Sequence, residues 1–195
     1  MHRKSNIERT TKETKIQVQL DLDGNGICKI HSQMGFFDHM LNALHKHALF
    51  DINIKAKGDL HVDAHHTIED IGLVLGQALN KALDKKDGIQ RFGQSLVPMD
   101  EALVQAVVDL SGRPHLQYSV PCKRKKIGNF DLTLLYDFFQ AFAQTGLFTL
   151  HIKLIEGHNP HHIYEAAFKA VGRALGEASR INPRIRGALS TKGKI

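Results

Sequence analysis

The sequence predicts an α+β protein made of a duplicated half-domain, with sheets on one side and helices on the other. The first observation is a repeat: "DAHHTIEDIGLVLGQAL" at residues 63–79 and "NPHHIYEAAFKAVGRAL" at residues 159–175 carry the same HHxxE cluster. The repeat continues upstream, where Glu13–Gly24 matches Glu101–Gly112 in order. The second observation is that strand and helix patterns follow the same order in both copies. Two copies of about 90 residues are typical of half-domains that share one core.

In the first copy, alternating apolar and polar residues predict a strand over residues 16–22 with one solvated face. "DGNG" then predicts a turn that leads into "ICKI" as a hairpin. Apolar residues at helical spacing predict a helix over residues 37–48, followed by the strand "INIKAKG". A second apolar stripe over residues 71–79 predicts the next helix.

The second copy repeats this order with the strand "ALVQAVVDL", a turn at "SGRP" and a helix over residues 131–144. The strand "LFTLHIKLI" and a helix from about His161 to Ser179 complete it. The predicted units are therefore residues 1–90, residues 91–180 and a polar tail, residues 181–195, within one compact domain. The tail is rich in turn formers, so we expect it to be flexible or held by a ligand.

Composition excludes several classes of protein. At 42% hydrophobic residues the chain can bury a core, yet no run of about 18 apolar residues could span a membrane, and the first thirty residues lack a secretion signal. We therefore expect a cytoplasmic protein. Cys28 and Cys122 stand alone without CxxC spacing, which argues against a disulfide framework and against a thiolate zinc site. Both are expected to be ordinary thiols.

A net charge of +6 is compatible with nucleic acid, an anionic surface or a phosphorylated small molecule as partner. "KRKK" at residues 123–126 has no interleaved aromatic residues of the kind that stack on single strands. Arg91, Arg113 and the tail's "STKG" could hold a phosphate, because guanidinium groups bind phosphate oxygens in pairs and lysine adds a point charge. No HExxH motif, Walker loop or GxSxG elbow is present.

The HHxxE clusters predict a metal site. On a helix Glu69 shares a face with the histidines before it, but adjacent histidines differ by about 100° around the axis, so two metals or two subunits are needed to use both. A single histidine pair at a helix start is usually a solvated cap, but its duplication, with His39 opposite Asp137 in the repeat, favours metal. Imidazoles and carboxylates without thiolate suit six-coordinate manganese, iron or cobalt, and zinc stays open. The candidate ligands are His39, His65, His66, Glu69, Asp137, His161, His162 and Glu165.

Two other functions remain open from the residues alone. The histidine clusters could join subunits in a metal-storage or metal-assembled protein without catalysis. Alternatively, the positive charge and "KRKK" could mark a nucleic-acid-binding protein, whose affinity would fall steeply with salt.

From about Glu8 to Lys192 the chain resembles one family, through "GFFDHML", "GDLHVDAHHTIEDIG", "RFG", "PMDEAL", "VDLSGRP", "HHIYEAAFKA" and "STKG". The family is imidazoleglycerol-phosphate dehydratase, the lyase of histidine biosynthesis. The resemblance implies a ribosomal protein S5 domain 2-like fold and trimers that assemble into homo-oligomers of 24 subunits. It also implies active sites between subunits, with two manganese ions in each and other divalent cations as alternatives. A membrane or nucleic-acid partner is not expected.

The resemblance also implies roles for individual residues. The reaction removes water from D-erythro-imidazoleglycerol phosphate and gives imidazole acetol phosphate. Glu13 is similar to the family's acid/base carboxylate, and Glu165 and Lys169, one helical turn apart, are the other implied catalytic residues. The implied phosphate-binding residues are Arg91, Arg113, Ser190 and Lys192. The eight candidate ligands above match the family's metal-binding positions, where Asp137 stands at a position that many members fill with histidine. Which carboxylate removes the proton stays open.

Overall fold

The structure, a computed structural model, describes residues 3–121 and 123–193. Its four helices are α1 (Gly35–Ala48), α2 (His65–Leu83), α3 (Leu134–Gly146) and α4 (Pro160–Ser179). Its strands are β1 (Lys4–Thr10), β2 (Thr14–Asp21), β3 (Cys28–His31), β4 (Asp51–Gly58), β5 (Phe92–Met99), β6 (Ala102–Asp109), β7 (His115–Ser119), β8 (Lys126–Ile127), β9 (Phe130–Asp131) and β10 (Thr149–Glu156).

The first sheet has the strand order β1-β2-β4-β3, and β2 is antiparallel to both of its neighbours. The alternation in β2 buries Ile16, Val18 and Leu20, as the sequence predicts. The predicted hairpin between β2 and β3 is wrong, because β3 pairs in parallel with β4 at the edge of the sheet. The reason lies in the connecting loop, whose Asn25 and Ile27 N–H groups each donate to Asp51 Oδ1 at 2.8 Å. These bonds hold the loop across the start of β4.

The second sheet has the equivalent order β5-β6-β10-β7, with β7 parallel to β10 at the edge. The same topology in both halves confirms the duplicated α+β half-domain, each a sheet backed by two helices. The outer strands β1, β5 and β7 were not predicted from the sequence. A small pair, β8 with β9, precedes α3. As a result the helix expected over residues 131–144 begins later, at Leu134, and ends at Gly146.

The helices of the two halves pack against each other. Helix α2 lies on β1 and β2 and packs along α3, while α4 lies on β5 and β6 and packs along α1. The expectation of sheets on one side and helices on the other therefore holds within each half but is wrong for the whole molecule, where the helices lie between the two sheets. Buried phenylalanines fill this central layer: Phe37, Phe138, Phe139, Phe142 and Phe168.

Two glycines at equivalent positions of the repeat set the helix spacing. A Cβ on Gly76 would overlap the carbonyl oxygen of Phe142 in α3, and a Cβ on Gly172 would overlap the carbonyl oxygen of Leu44 in α1. Phe142 and Leu44 are themselves equivalent in the repeat. Each glycine therefore lets one helix of a half touch the backbone of a helix from the other half.

The helices α2 and α3 run side by side in the same direction. His65 lies beside Asp137 near their starts, and further along Thr145 Oγ1 donates to the Leu73 carbonyl at 2.7 Å. Among the described residues, no helix is both long enough and apolar enough to cross a bilayer. The division at residues 90 and 180 stays a prediction.

The thiol of Cys28 is half-buried and donates to Asn42 Oδ1 at 2.6 Å, while Cys122 lies outside the described residues.

Candidate metal centre and phosphate cavity

The starts of α1 and α4 bring three of the predicted ligands together. His39 Nε2 lies 3.1 Å from Glu165 Oε2, and His161 Nε2 lies 3.2 Å from the same oxygen. The rings of His39 and His161 have centroids 5.4 Å apart. All three donor atoms fall within 4.8 Å of one another. One ion could therefore contact all three side chains after small rotations.

Glu165 is the buried member of this cluster, at 8% exposure. Lys169 lies one turn further along α4, and its Nζ donates to Glu165 Oε1 at 2.8 Å. Burial alone would raise the pKa of Glu165, but the hydrogen bonds from Lys169 and His39 outweigh it and lower that pKa. The carboxylate is therefore ionised, as a metal ligand must be.

A related cluster occupies the equivalent place in the other half. His65 Nδ1 lies 3.5 Å from Asp137 Oδ2, and His65 Nε2 lies 3.8 Å from Glu69 Oε2. Asp137 thus stands where His39 stands in the first cluster, as their positions in the repeat predict. The distances in this cluster are longer than those around Glu165, and the side chain of Glu69 is more exposed than that of Glu165, at 48% against 11%.

The second histidine of each pair faces partners that the first does not contact, Asp59 for His66 and Glu101 for His162. The ring planes of His65 and His66 differ by 80°, and those of His161 and His162 differ by 78°. The chain therefore offers four separate groups of ligands, as the helix geometry predicts for adjacent histidines.

Carboxylates orient these second histidines. His66 Nδ1 lies 3.0 Å from Asp59 Oδ2, and His162 Nδ1 lies 2.7 Å from Glu101 Oε2. The hydrogen bond to Asp59 raises the pKa of His66, and the bond to Glu101 raises that of His162. In return, the hydrogen bond from His162 lowers the pKa of Glu101 to about 2.

This donor set fits a divalent transition metal. Histidine ligands in proteins commonly donate one ring N–H to a carboxylate and bind the ion with the other nitrogen, and here Nδ1 is held while Nε2 is left for an ion. Imidazole and carboxylate donors without thiolate match manganese, iron, cobalt or zinc. Each of the two clusters supplies three side chains, and each second histidine supplies one nitrogen, whereas a six-coordinate ion needs more donors. Water, substrate or a second group of ligands would complete each ion's coordination.

Glu13, the predicted acid/base carboxylate, lies beside one of these groups. Its Oε2 is 3.9 Å from His66 Nδ1, and its side chain is 57% exposed. Glu13 also forms a possible three-ligand group with Asp59 and His66. We assign the Asp59 carboxylate to orienting the ring, because it lies on the Nδ1 side at hydrogen-bond distance.

The four predicted phosphate-binding residues line one cavity of about 1270 Å³. Six basic side chains surround it, against the single carboxylate of Asp84: Lys86, Arg91, Arg113, Arg184, Arg186 and Lys192. Hydroxyl groups of Ser111, Ser190 and Thr191 add further donors. A strongly positive cavity with hydroxyl donors is suited to a phosphate group.

Arg91 is the most constrained cation of the cavity. Its Nε and Nη2 donate to the two oxygens of Asp109, at 2.7 and 3.2 Å, and its Nη1 donates to the Leu189 carbonyl at 2.7 Å. Arg91 therefore fastens the tail to β6. Its charge is largely balanced by Asp109.

Within one chain the cluster at the start of α2 lies far from the phosphate cavity. His65 and His66 form the first turn of α2, whereas Asn80, at its other end, and Asp84 just beyond line the cavity. Asn80 lies fifteen residues of helix beyond His65, so at a rise of 1.5 Å per residue these ends are more than about 20 Å apart.

Sequence reasoning missed three residues that the geometry brings in. Asp59 and Glu101 hold the second histidines, and Lys86 is buried in the cavity wall. The sequence carried a signal for Glu101, because the repeat pairs it with Glu13. Asp59 directly follows β4, in the loop that leads to the helix bearing the histidines. This position was a weaker indication of its role. Lys86 lies among other charged loop residues, and nothing in the sequence distinguished it from them.

Comparison with known proteins agrees with this architecture. Residues 32–175 match the family model described as imidazoleglycerol-phosphate dehydratase. A protein of that name from Lachnoclostridium phytofermentans is 53% identical over 195 residues, covering 100% of both chains. The crystal structure of the Staphylococcus aureus enzyme of that name superposes with a TM-score of 0.84 at 38% identity, covering 92% of this chain and 99% of that one. That of Pyrococcus furiosus gives 0.84 at 39% identity, covering 97% and 100%. The chain therefore belongs to the imidazoleglycerol-phosphate dehydratase family.

Proposed function

We propose that the chain dehydrates D-erythro-imidazoleglycerol phosphate to imidazole acetol phosphate and water in histidine biosynthesis, with two manganese ions in each active site. The observation that carries the proposal is the combination of duplicated histidine–carboxylate clusters with a separate, strongly basic cavity. The clusters suit a substrate with an imidazole ring, and the cavity suits its phosphate. Family membership supports the substrate.

The metal ligands proposed are the two clusters and the outward nitrogens of the second histidines. His39, His161 and Glu165 would hold one ion, and the group of His65, Glu69 and Asp137 would hold the other. Ions bound there would supply positive charge that stabilises the substrate's ring as it gains electron density. His66 and His162 would complete coordination in a neighbouring copy, since they lie beside Asp59 and Glu101 and not beside the cluster carboxylates of their own chain.

The protein side chains then handle binding and proton movement. Glu13 Oε2 is exposed beside His66 and would transfer protons at the reacting carbons. Lys169 Nζ, held by Glu165, keeps that carboxylate ionised and oriented. Arg113, Ser190 and Lys192 would bind the phosphate and so fix the position of the carbon that loses its proton.

Distances within the chain support active sites formed between subunits. The substrate is about 10 Å long, as judged from its few single bonds. It cannot reach from the cluster at the start of α2 to the cavity of the same chain, because more than about 20 Å separates them. Catalysis therefore requires ligands from one copy and the phosphate cavity of another. A shell of 24 subunits would supply such pairs, and both that number and a cytoplasmic location stay predictions.

Activity and metal content test the proposal together. Purified protein, stripped with a chelator and reloaded with manganese, should release imidazole acetol phosphate from the substrate. Glu165→Gln and His66→Ala should each abolish turnover and lower the metal bound per chain, because each removes one donor from a small set. His31→Ala changes an exposed histidine outside the clusters and serves as the control. A reloaded wild-type protein without activity would refute the function, and variants with normal rate and metal content would refute the ligand assignment.

A further inference from the structure

Lys86 is the most buried cation of the phosphate cavity. It is only 5% exposed, although it follows α2 in a loop whose neighbours Lys85 and Asp87 are exposed. Its side chain lines the cavity with Arg91, Arg113 and Lys192. Lysine is almost never this buried without a paired charge, so its location requires an explanation.

The described residues give Lys86 no ion pair of its own. The carboxylate nearest in electrostatic effect is Asp109, and Arg91 occupies both of its oxygens. Burial lowers the pKa of Lys86, and the positive charge of Arg91 lowers it further against the pull of Asp109. A buried ammonium without a partner destabilises the empty protein, whereas an anion in the cavity would remove that penalty.

The backbone fixes Lys86 beside the tail that carries the predicted phosphate-binding residues. Its N–H donates to the Leu83 carbonyl at 2.9 Å, and it adopts a left-handed φ of 58°. Two residues further on, Gly88 N–H donates to the Gly187 carbonyl at 2.8 Å. An isolated bridge joins Asp87 to Ala188. The loop and the tail therefore form one wall of the cavity.

We propose that Lys86 binds the phosphate group of the substrate and is its principal charge partner. The inference rests on the proposed function of the cavity. A phosphomonoester dianion needs two positive charges, and the Arg91–Asp109 pair contributes little net charge. The other four cations of the cavity are exposed and are screened by water: Arg113, Arg184, Arg186 and Lys192. Lys86 acts from a buried position, where the attraction between two charges is stronger than at the surface.

The test compares Lys86→Met with Lys85→Met. Both variants remove one positive charge from the same loop, but Lys85 is exposed and does not line the cavity. Titration with inorganic phosphate should show at least about ten-fold weaker binding in Lys86→Met and unchanged binding in Lys85→Met, since a hydrogen bond to a charged group is lost only in the first. The substrate KM should rise to a similar extent, with kcat nearly unchanged.

A second measurement separates binding from a structural role. Without phosphate, Lys86→Met should melt at the same temperature as the wild type or higher, because the unpaired buried charge is gone. The stabilisation that phosphate gives to the wild type should be largely lost in the variant. Equal phosphate affinity in Lys86→Met and wild type, or a variant that melts lower and binds phosphate normally, would overturn the inference. A wild-type protein that binds phosphate without turning over the substrate would refute only the proposed function.

Discussion

Co-assembly of two defective variants tests whether one active site needs two chains. Glu165→Gln damages the metal cluster, and Arg113→Ala damages the phosphate cavity. In one chain Phe168, three residues after Glu165, contacts Phe138 near the start of α3, whereas Leu147 at the far end of α3 lines the cavity. Nine residues of helix separate these ends of α3 by about 13 Å, which is longer than the substrate. A site assembled from two chains can therefore take an intact cluster from one variant and an intact cavity from the other.

The expected recovery follows from random mixing. In a one-to-one mixture about half of the clusters and about half of the cavities are intact, so about a quarter of the sites are fully intact when they come from different chains. If both parts came from one chain, no site would be intact. Activity would then be about half of that of Arg113→Ala alone, because Glu165→Gln chains only dilute it.

The assay is steady-state dehydration at low substrate concentration, where Arg113→Ala is slow. The two variants are unfolded together, refolded together with manganese, and compared with each variant treated alone. A mixture of Glu165→Gln with His161→Ala serves as the control, because both changes damage the same cluster and no recovery is expected. Activity in the first mixture that stays below that of Arg113→Ala alone would refute active sites shared between chains.

Two further predictions concern single residues. Arg113→Ala should raise KM about ten-fold or more with kcat nearly unchanged, because a phosphate contact is equally strong in the ground state and the transition state. Steady-state kinetics that show a loss in kcat alone would contradict this role. His45 is 1% exposed, and burial lowers its pKa below the ordinary 6.5. As the pH falls below 6.5, His45 therefore takes up a proton in the unfolded chain but not in the folded one. Acid therefore destabilises the fold through His45, and melting curves at pH 8 and pH 5.5 should show a smaller acid loss for His45→Gln. An equal loss in both proteins would show that His45 is not responsible.

Much of the fold could be predicted from the sequence, because the same pattern occurs in both halves and the central strands and helices have a regular apolar periodicity. The alternation in β2 and the apolar stripes of α1, α2 and α4 reflect burial against the shared core. The outer strand β1 has no such pattern, since an edge strand has one neighbour and Ser5 and Ile7 are its only residues turned inward. The false hairpin arose because a turn motif cannot reveal which strand the chain meets next.

The metal ligands could be predicted from the sequence because histidine and carboxylate residues repeat at a fixed spacing in the two halves. The pairing of His39 with Asp137 in the repeat anticipated that each would lie beside the first histidine of an HHxxE cluster. Asp59 and Lys86 act through position in the folded chain alone, one beside a histidine ring and one inside a cavity. Neither burial nor the direction of a loop side chain follows from local sequence.

The phosphate cavity lies at the carboxyl ends of α2 and α3, where Asn80 and Leu147 line it. Peptide dipoles make this end of a helix partly negative, so the backbone repels the anion that helix amino ends attract in most nucleotide-binding proteins. The ends of these helices therefore contribute no attraction, and the six basic side chains of the cavity supply it. Single substitutions of these side chains can therefore change the affinity for the anion in small steps. The affinity should also weaken with ionic strength more than that of a site made of backbone amides.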